Sequence, residues 1–181
     1  MNLLCETSVR HVHISQEHLD VLFGGELTMV RELSQPGQFL SEQRVSLVGE
    51  KGTLCNVAVL GPVRARTQVE ITRSDCYTLG LKNVPLKQSG DLEGTPGILI
   101  RSETAEVYIK AGVIVSQRHI HMSPGKKFKD GQIVSVRFPG ERGGVLDNFV
   151  VRVSENFAPA IHIDADEGNA LGFTCGSAEV V

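Results

Sequence analysis

The octapeptide SVRHVHIS (8–15) returns later in the chain as SQRHIHMS (116–123), with five of eight positions identical. Downstream of each copy, a constant offset of 92 residues aligns further positions. The aligned pairs are Asn56 with Asn148, Val59 with Val151, Ile71 with Ile163, Leu79 with Leu171, and Gly80 with Gly172. The chain is therefore predicted to contain two copies of one structural unit, over residues 8–81 and 116–173.

The repeated unit is predicted to consist mainly of β-strands. Short runs rich in Val and Ile, such as VSLVG (45–49) and LCNVAVLG (54–61), are separated by turn residues in a chain with 19 glycines and 7 prolines. The four residues between these two runs, 50–53, predict a hairpin connection. Two copies are too few for a solenoid or a propeller, so the pattern favours a pair of small barrels.

Helical signals are few and short. Ser15 can cap a helix that runs through Phe23, with Gly24 as its stop. Ser123 followed by Pro124 predicts a second short helix, because proline is well suited to the first helical position.

Composition excludes several classes of protein. The chain has 181 residues and a formal net charge of -3, which gives no general attraction to nucleic acid, and no apolar stretch approaches the roughly 20 residues of a membrane span. The N-terminal residues lack the basic start and apolar core of a signal peptide. Four cysteines without a CxxC spacing favour thiols in a reducing compartment over disulfides.

Two HxH motifs carry the strongest chemical signal. His11 and His13 form one motif, and His119 and His121 form the other. Side chains at positions i and i+2 of a strand point to the same face, so each pair can converge on one metal ion. A single HxH motif is weak, because exposed strand histidines are common. Two motifs related by a repeat, each preceded by Arg, are a much stronger indication of metal binding.

The repeat also nominates a third ligand for each motif. Under the offset of 92, Glu70 aligns with His162, so each copy offers HxH and one further ligand. Three protein ligands with an open position are typical of catalytic zinc. Glu70 alone would be interpreted as an ordinary strand carboxylate. His18, the one histidine outside this scheme, is interpreted as a surface residue.

Arginines flank Glu70. Arg64 and Arg66 precede it and would share one face of a strand, and Arg73 follows it. A guanidinium near a metal site suits bidentate recognition of phosphate or carboxylate. The alternative is a solvated arginine at a strand edge. The glycine-rich turns GEKG and GERG are interpreted as hairpins rather than phosphate cradles, because no helix follows them.

These residues resemble the phosphate propanoyltransferase family, and the resemblance covers residues 7–173. The motifs that carry it are RHVHIS (10–15), LSQPGQF (33–39), GPVRARTQVEI (61–71), SGDLEGTPG (89–97), GVIVSQRHIHM (112–122), DGQIVSVRFPGERG (130–143), DNFVVRVS (147–154) and HIDADEGNALGF (162–173). The resemblance implies reversible transfer of a short acyl group, propanoyl or acetyl, between coenzyme A and inorganic phosphate, giving acyl phosphate.

The resemblance implies two zinc ions per chain. Carried over position by position, His11, His13 and Glu70 match the ligands of one zinc. The ligands of the other match His119, His121 and His162. Arg64 matches the arginine that engages phosphate and is the expected catalytic residue.

The fold implied by the resemblance is mainly β, with a few short helices. It consists of two small antiparallel β-barrels with the active site between them. Residues 1–9 with 118–181 are expected to form the first barrel, and residues 10–117 the second.

Coenzyme A is polyanionic, so a net negative chain must bind it through a local basic region. We expect Arg10, Arg31 and Lys51 to contribute, with Arg73 as a further candidate. Family resemblance adds the backbone from Ser8 through Val9 to Arg10, and the side chain of Asn169. No nucleic acid or membrane partner is expected.

Assembly and location are also expectations. Small barrels cover their apolar edge strands, and the resemblance implies a homodimer. Family members that enter bacterial microcompartments carry a longer N-terminal amphipathic extension, whereas nine residues precede Arg10 here. We therefore expect a cytoplasmic protein, or a microcompartment protein whose extension is absent from this sequence.

Two other functions fit part of the pattern. The same ligands could activate water in a two-metal hydrolase, although no extra Asp or Glu beside the HxH motifs could bridge two close metals. A metal-storing or structural β module without chemistry is the third possibility, but a structural zinc ordinarily has four protein ligands.

Overall fold

A computed structural model of the chain describes residues 1–125 and 127–181. The chain divides into two compact units, one formed by Met1–Val9 with Gln117–Val181 and the other by Arg10–Ser116. In chain order the elements are β1 (Asn2–Ser8), β2 (His11–Ser15), α1 (Gln16–Phe23), β3 (Met29–Glu32), β4 (Phe39–Val48), β5 (Thr53–Arg64), β6 (Gln68–Ile71), α2 (Arg73–Leu79), β7 (Leu86–Lys87), β8 (Ile98–Arg101), β9 (Glu106–Ile109), β10 (Val113–Ser116), β11 (His119–Met122), β12 (Ile133–Arg137), β13 (Val145–Val153), β14 (Ala160–Asp164), α3 (Ala165–Leu171) and β15 (Cys175–Val180).

The unit that contains both chain termini is a closed six-stranded barrel. Its strand order is β1-β14-β11-β13-β12-β15, and β15 returns to pair with β1. Apolar side chains of alternate strand positions fill the interior, as period-two side-chain geometry requires. The largest of these, all buried, are Ile120, Met122, Phe149, Ile161 and Ile163.

The other unit is a curled, half-barrel sheet of nine strands. Its order is β7-β10-β6-β2-β5-β4-β8-β9, and β3 pairs with β4 beside this path. Helix α1 covers part of the core by burying Leu19 and Leu22 against it. The two ends of the sheet are β7, a strand of two residues, and β9, and no described strand pairs one with the other.

Equivalent strands of the two units pair in the same way. The HxH strand β2 is antiparallel to β6 and parallel to β5, and the HxH strand β11 is antiparallel to β14 and parallel to β13. In the register, His11 lies opposite Glu70, and His119 lies opposite His162. The offset of 92 residues therefore relates structurally equivalent positions.

The strand before each HxH motif belongs to the opposite unit. β1, which precedes the first motif, pairs in parallel with β14, whereas β10, which precedes the second, pairs in parallel with β6. The register matches as well, with Cys5 opposite Ile161 and Val113 opposite Val69. The two halves of the sequence thus exchange their first strands, which explains why the compact units begin and end just before each HxH motif.

Helices α2 and α3 follow the strands that carry Glu70 and His162. Each begins with a capping box, in which the side chain of the N-cap residue, Thr72 or Asp164, accepts a bond from the amide three residues on. The acidic side chain at that third position, Asp75 or Glu167, binds the N-cap amide in return. Both helices end at a glycine in the left-handed backbone conformation, Gly80 for α2 and Gly172 for α3.

The mainly β fold and its few short helices are confirmed, as are α1 and the hairpin turn after Val48. The barrel pairing is mixed rather than purely antiparallel, because each third-ligand strand is flanked by a parallel neighbour. The helix expected at Ser123 and Pro124 is wrong, since a turn forms at Pro124 and Gly125; residue 126 lies outside the described residues. Within the described residues, no helix has the length and apolar character needed to cross a bilayer.

Candidate metal centres and the arginine beside them

The first cluster lies where β2 and β6 pair. His11, His13 and Glu70 are each no more than 7% exposed. The Nε2 atoms of His11 and His13 lie 3.7 and 3.6 Å from the Glu70 Oε1 atom. One ligand atom from each of the three residues falls within 4.8 Å of the others. Three potential ligand atoms of the kinds that zinc prefers therefore converge in a buried place.

Electrostatics in this cluster suit a cation. Burial lowers the pKa of His13 to about 4, so its imidazole is neutral at physiological pH. Burial alone would raise the pKa of Glu70, but the neighbouring His11 and His13 hold it well below its ordinary value. Buried His13 Nδ1 has no hydrogen-bond partner in the part of the chain that is described. Two imidazole Nε2 atoms and a carboxylate oxygen thus lie close together in a buried, negatively charged place.

A hydrogen-bond network joins Glu70 to Arg64. The Gln68 amide nitrogen donates to Glu70 Oε1 at 2.6 Å and to Ser89 Oγ at 2.8 Å. Arg64 Nη1 donates to the same Ser89 Oγ at 2.9 Å, and the Gly90 amide donates to Gln68 Oε1 at 2.7 Å. Gln68 is only 1% exposed. The network links the arginine at the end of β5 to the carboxylate of β6 through the loop after β7, although β2 lies between these two strands in the sheet.

The second cluster lies where β11 and β14 pair. The ring centroids of His119, His121 and His162 are 4.7 to 5.0 Å apart, and one nitrogen from each ring falls within 4.8 Å of the others. His119 Nδ1 lies 2.9 Å from the Gln117 carbonyl oxygen, which places the ring proton on Nδ1 and a lone pair on Nε2. That arrangement is typical of metal-binding histidines.

His121 gives the most direct test of whether a metal fits. Burial, with His119 and His162 nearby, lowers its pKa to about 2, so the ring is neutral. Both ring nitrogens are buried and lack a hydrogen-bond partner among the described residues. Leaving such groups unsatisfied is costly, and a bound cation removes the cost for the nitrogen that it contacts. The three-histidine set therefore fits zinc.

An aromatic ring and a guanidinium group lie beside this second cluster. The Phe157 ring stacks on His121 with centroids 4.0 Å apart. The Arg152 guanidinium lies 5.5 Å from the centroid of Phe157. The Phe157 carbonyl oxygen also accepts a bond from Ser123 Oγ at 2.9 Å. The loop before β14 thus holds the His121 ring in one orientation.

The residues expected to bind coenzyme A fall in both units. Ser8 is half-buried, and Val9 and Asn169 are exposed, in the six-stranded barrel. Arg31 and Lys51 are exposed in the open sheet.

The two remaining arginines of that group make contacts within the open sheet. Arg10 forms an ion pair with Asp75, and Arg73 donates a hydrogen bond to the Val84 carbonyl oxygen. His18, interpreted as a surface residue, is half-buried, with its Nδ1 atom 2.7 Å from Thr67 Oγ1. Each of these three side chains is therefore more integrated into the fold than expected.

Sequence reasoning missed three neighbours of the clusters. Gln68 could have been found, because it precedes Glu70 by two residues on the same strand face. Asp75 could have been found from its alignment with Glu167 under the repeat. Phe157 carries no such signal, since it lies in a loop whose path is set by tertiary packing.

Comparison with known proteins identifies the family. A model of the phosphate propanoyltransferase family matches residues 4–174. The chain is similar to phosphate propanoyltransferases from Clostridioides difficile, 49% identical over 95% of this chain and 85% of that protein, and from Listeria monocytogenes, 48% identical over 94% and 83%. It is also similar to the phosphate propanoyltransferase of Salmonella typhimurium, 47% identical over 91% of this chain and 81% of that protein. With these matches spanning nearly its whole length, this chain belongs to the phosphate propanoyltransferase family.

Proposed function

We propose that this phosphate acyltransferase moves a short acyl group, propanoyl or acetyl, reversibly between coenzyme A and inorganic phosphate, and that it uses two zinc ions. One observation carries the proposal beyond family membership. Two buried three-ligand clusters occupy equivalent positions in the repeat, and one of them is hydrogen-bonded through Gln68 and Ser89 to Arg64. A metal centre joined to a guanidinium is suited to a reaction between an anion and a carbonyl group.

The residues that would hold zinc are His11, His13 and Glu70 in one centre, and the three histidines 119, 121 and 162 in the other. When bound, zinc supplies Lewis acidity and lowers the pKa of a thiol or an oxygen that it coordinates. Three protein ligands leave a coordination position for a substrate atom. Both ligand sets are mostly buried, which strengthens electrostatic interactions with the substrate.

Arg64 is the proposed phosphate-binding residue. Its bond to Ser89 Oγ orients the guanidinium, whose planar fork matches two phosphate oxygens. In the direction of acyl phosphate, a phosphate oxygen attacks the thioester carbonyl carbon and the carbon–sulfur bond breaks. The sulfur leaves as a thiolate and takes up the proton that the phosphate loses, which gives acyl phosphate and free coenzyme A. Arg64 holds the nucleophile in line and neutralises its charge, so no protein nucleophile is required.

Coenzyme A is proposed to bind through the exposed basic side chains of Arg31 and Lys51, the backbone from Ser8 to Arg10, and the side chain of Asn169. Exposure of Arg31, Lys51 and Asn169 supports this assignment. Because the chain carries a net charge of -3, a local basic surface is needed to attract the phosphates of the cofactor.

A homodimer in the cytoplasm, or in a microcompartment, completes the proposal. Edge strand β3 exposes Met29 and Val30, which are 57% and 54% accessible, and edge strands of this kind favour pairing. No disulfide joins cysteines in the described part of the chain, as suits a reducing compartment. Mass measurement in solution at micromolar concentration tests the assembly, and a monomer mass would refute it.

One assay tests the proposed reaction against the other two functions. The protein is incubated with propanoyl-CoA or acetyl-CoA, with and without phosphate, and the released thiol is measured. Phosphate-dependent release with formation of acyl phosphate is expected. Thiol release that does not depend on phosphate would indicate a hydrolase. No thiol release under either condition would indicate a binding module.

A further inference from the structure

The arginine before the first HxH motif forms an ion pair with a buried carboxylate. Arg10 Nε and Nη2 lie 2.8 and 2.6 Å from the Asp75 Oδ1 atom. The Asp75 side chain is 3% exposed, and its other oxygen accepts a bond from the Thr72 amide at 3.1 Å. One carboxylate thus joins the residue beside His11 to the start of α2.

The arginine before the second motif makes the equivalent contact. Arg118 Nε lies 2.7 Å from the Glu167 Oε1 atom, and Glu167 Oε2 accepts a bond from the Asp164 amide at 3.0 Å. Glu167 follows Asp75 by the same 92 residues that separate His162 from Glu70. The repeat therefore keeps the ion pair even though it changes both the acid and the third ligand.

Each ion pair joins the residue before an HxH motif to the helix that follows the third-ligand strand. His11 is opposite Glu70, and His119 is opposite His162. In each unit the arginine precedes the first histidine, and its acidic partner is five residues beyond the third ligand. The ion pair consequently ties the beginning of the HxH strand to the segment that leaves the third-ligand strand.

We propose that Arg10 and Arg118 are positioning residues, each of which sets the distance between the HxH pair and the third ligand of its own metal centre. The inference rests on the proposed function, because it takes both clusters to be metal centres. A zinc site tolerates little variation in ligand distances, so residues that orient the ligand-bearing strands govern affinity. On this basis the main role of Arg10 is metal positioning, beyond any contact that its backbone makes with coenzyme A.

The test measures zinc affinity at one centre at a time in the full-length chain. Glu70→Ala isolates the three-histidine centre, and His162→Ala isolates the other. Arg10→Gln and Arg118→Gln are placed in both backgrounds, and zinc is titrated against a chromophoric chelator. Arg10→Gln is expected to weaken zinc binding about 10- to 100-fold in the His162→Ala background alone. Arg118→Gln should do so in the Glu70→Ala background alone.

Two surface arginines provide matched controls. Arg101 pairs with Glu106 at 3.0 Å, and Arg137 pairs with Glu179 at 3.3 Å, with all four side chains well exposed. Arg101→Gln and Arg137→Gln should leave zinc affinity unchanged in both backgrounds. These controls show whether the loss of any arginine ion pair lowers zinc affinity, or only the loss of the pair that Arg10 or Arg118 makes.

The outcomes separate the inference from the function on which it rests. A parent chain that binds no zinc refutes the proposed metal centres. If both glutamine variants bind zinc as tightly as the parent, the positioning role is refuted. It is also refuted if each variant loses zinc affinity equally at both centres, and in either case the proposal of two metal centres stands. If a glutamine variant fails to fold, the lysine variant at that position replaces it. Lysine keeps the charge without the planar fork and should lower affinity about 3- to 10-fold, at its own centre only.

Discussion

At the scale of single residues, the two proposed centres differ by one substitution. Glu70 and His162 occupy equivalent positions opposite the first histidine of each HxH motif. A carboxylate brings one negative charge, so a zinc ion with His11, His13 and Glu70 carries a net charge of +1. The all-histidine centre keeps the full +2 of the ion. We therefore expect the two centres to respond differently when their third ligands are removed.

Removal of Glu70 should empty one centre and spare the other. Glu70→Ala deletes one of three protein ligands, so zinc content should fall towards one ion per chain. Excess zinc should restore part of the lost zinc content. The measurement is elemental analysis of the purified variant after dialysis, with His162→Ala as the matched variant of the other centre. Full zinc content in Glu70→Ala would contradict its role as a ligand.

Removal of Arg64 should impair transfer and leave the metals in place. Arg64→Ala deletes a charge-assisted fork, at an expected cost of about 2–4 kcal/mol in transition-state stabilisation, or roughly 30- to 1000-fold in rate. Arg64→Lys should keep only part of the transfer rate, because an ammonium group lacks the bidentate geometry. Initial rates and zinc content are measured together. Turnover like that of the unmodified protein in Arg64→Ala would refute its role.

Stability of the metal-free protein should fall as the solution becomes acidic. The pKa of His13 is lowered by burial to about 4, so between pH 6.5 and 4 the unfolded state binds a proton that the folded state does not. Stability should therefore decrease as the pH falls through this window, by up to about 1.4 kcal/mol per pH unit for each such group. His121, with a pKa of about 2, adds to the same trend.

Denaturant unfolding of chelator-treated protein across this pH range checks the expectation. Saturating zinc should raise the stability above pH 6.5 and make the decrease at lower pH at least as steep, because the bound ion holds the imidazoles of the folded state in their neutral form while those of the unfolded state still gain protons. A metal-free protein whose stability does not change between pH 6.5 and 4 would contradict it.

At this scale the sequence was informative because strand geometry is simple. Positions i and i+2 share a strand face, so two HxH motifs and a repeat were enough to nominate the six residues that the fold groups into two clusters. The contacts of Arg64 and Gln68 with Ser89 were not predictable, since the loop that carries Ser89 has no regular geometry. The basic character of Arg10 predicts a contact with polyanionic coenzyme A, whereas its ion pair with Asp75, 65 residues away in the chain, leaves no local signal.

At the scale of elements, each third-ligand strand is continuous with a capped helix. β6 runs through Thr72 into α2, and β14 runs through Asp164 into α3. The capping boxes make the end of the strand and the start of the helix one hydrogen-bonded segment. The third ligand is therefore held by the strand ladder on one side and by the helix cap on the other.

Disruption of one cap should lower stability by a measurable amount. Thr72→Ala removes the oxygen that accepts from the Asp75 amide, and such losses cost about 1 kcal/mol, within a range of roughly 0.5–2 kcal/mol. Thr104→Ala, at an exposed loop position, is the control and should change stability by less than about 0.5 kcal/mol. Equal unfolding midpoints for the two variants in denaturant would contradict the role of the cap.

The elements were partly predictable. The hairpin between β4 and β5 and the cap of α1 follow from local turn and capping residues, which act within a few positions. Helices α2 and α3 were missed although the patterns Thr72-x-x-Asp75 and Asp164-x-x-Glu167 mark both starts. Each helix has only seven residues, too few to produce a clear apolar period beside the stronger strand signals.

At the scale of the whole molecule, the exchange of first strands determines the architecture. The repeats detected in the sequence begin at residues 8 and 116, the last residues of β1 and β10, whereas the compact units change at residues 9–10 and 116–117. Periodicity cannot reveal such an exchange, because a strand looks the same whichever sheet it joins. Closure of one unit and not the other depends on β15, which has no counterpart of similar length in the open sheet.

Two zinc ions, one in each repeat, are proposed to support phosphate-dependent acyl transfer. The most direct measurement is a titration of the metal-depleted protein with zinc, in which thiol release from propanoyl-CoA is followed in the presence of phosphate. We predict negligible release without metal and a rise to a plateau at two zinc ions per chain, with acyl phosphate as the product. A plateau at one ion per chain, or full activity in the metal-depleted protein, would contradict the claim.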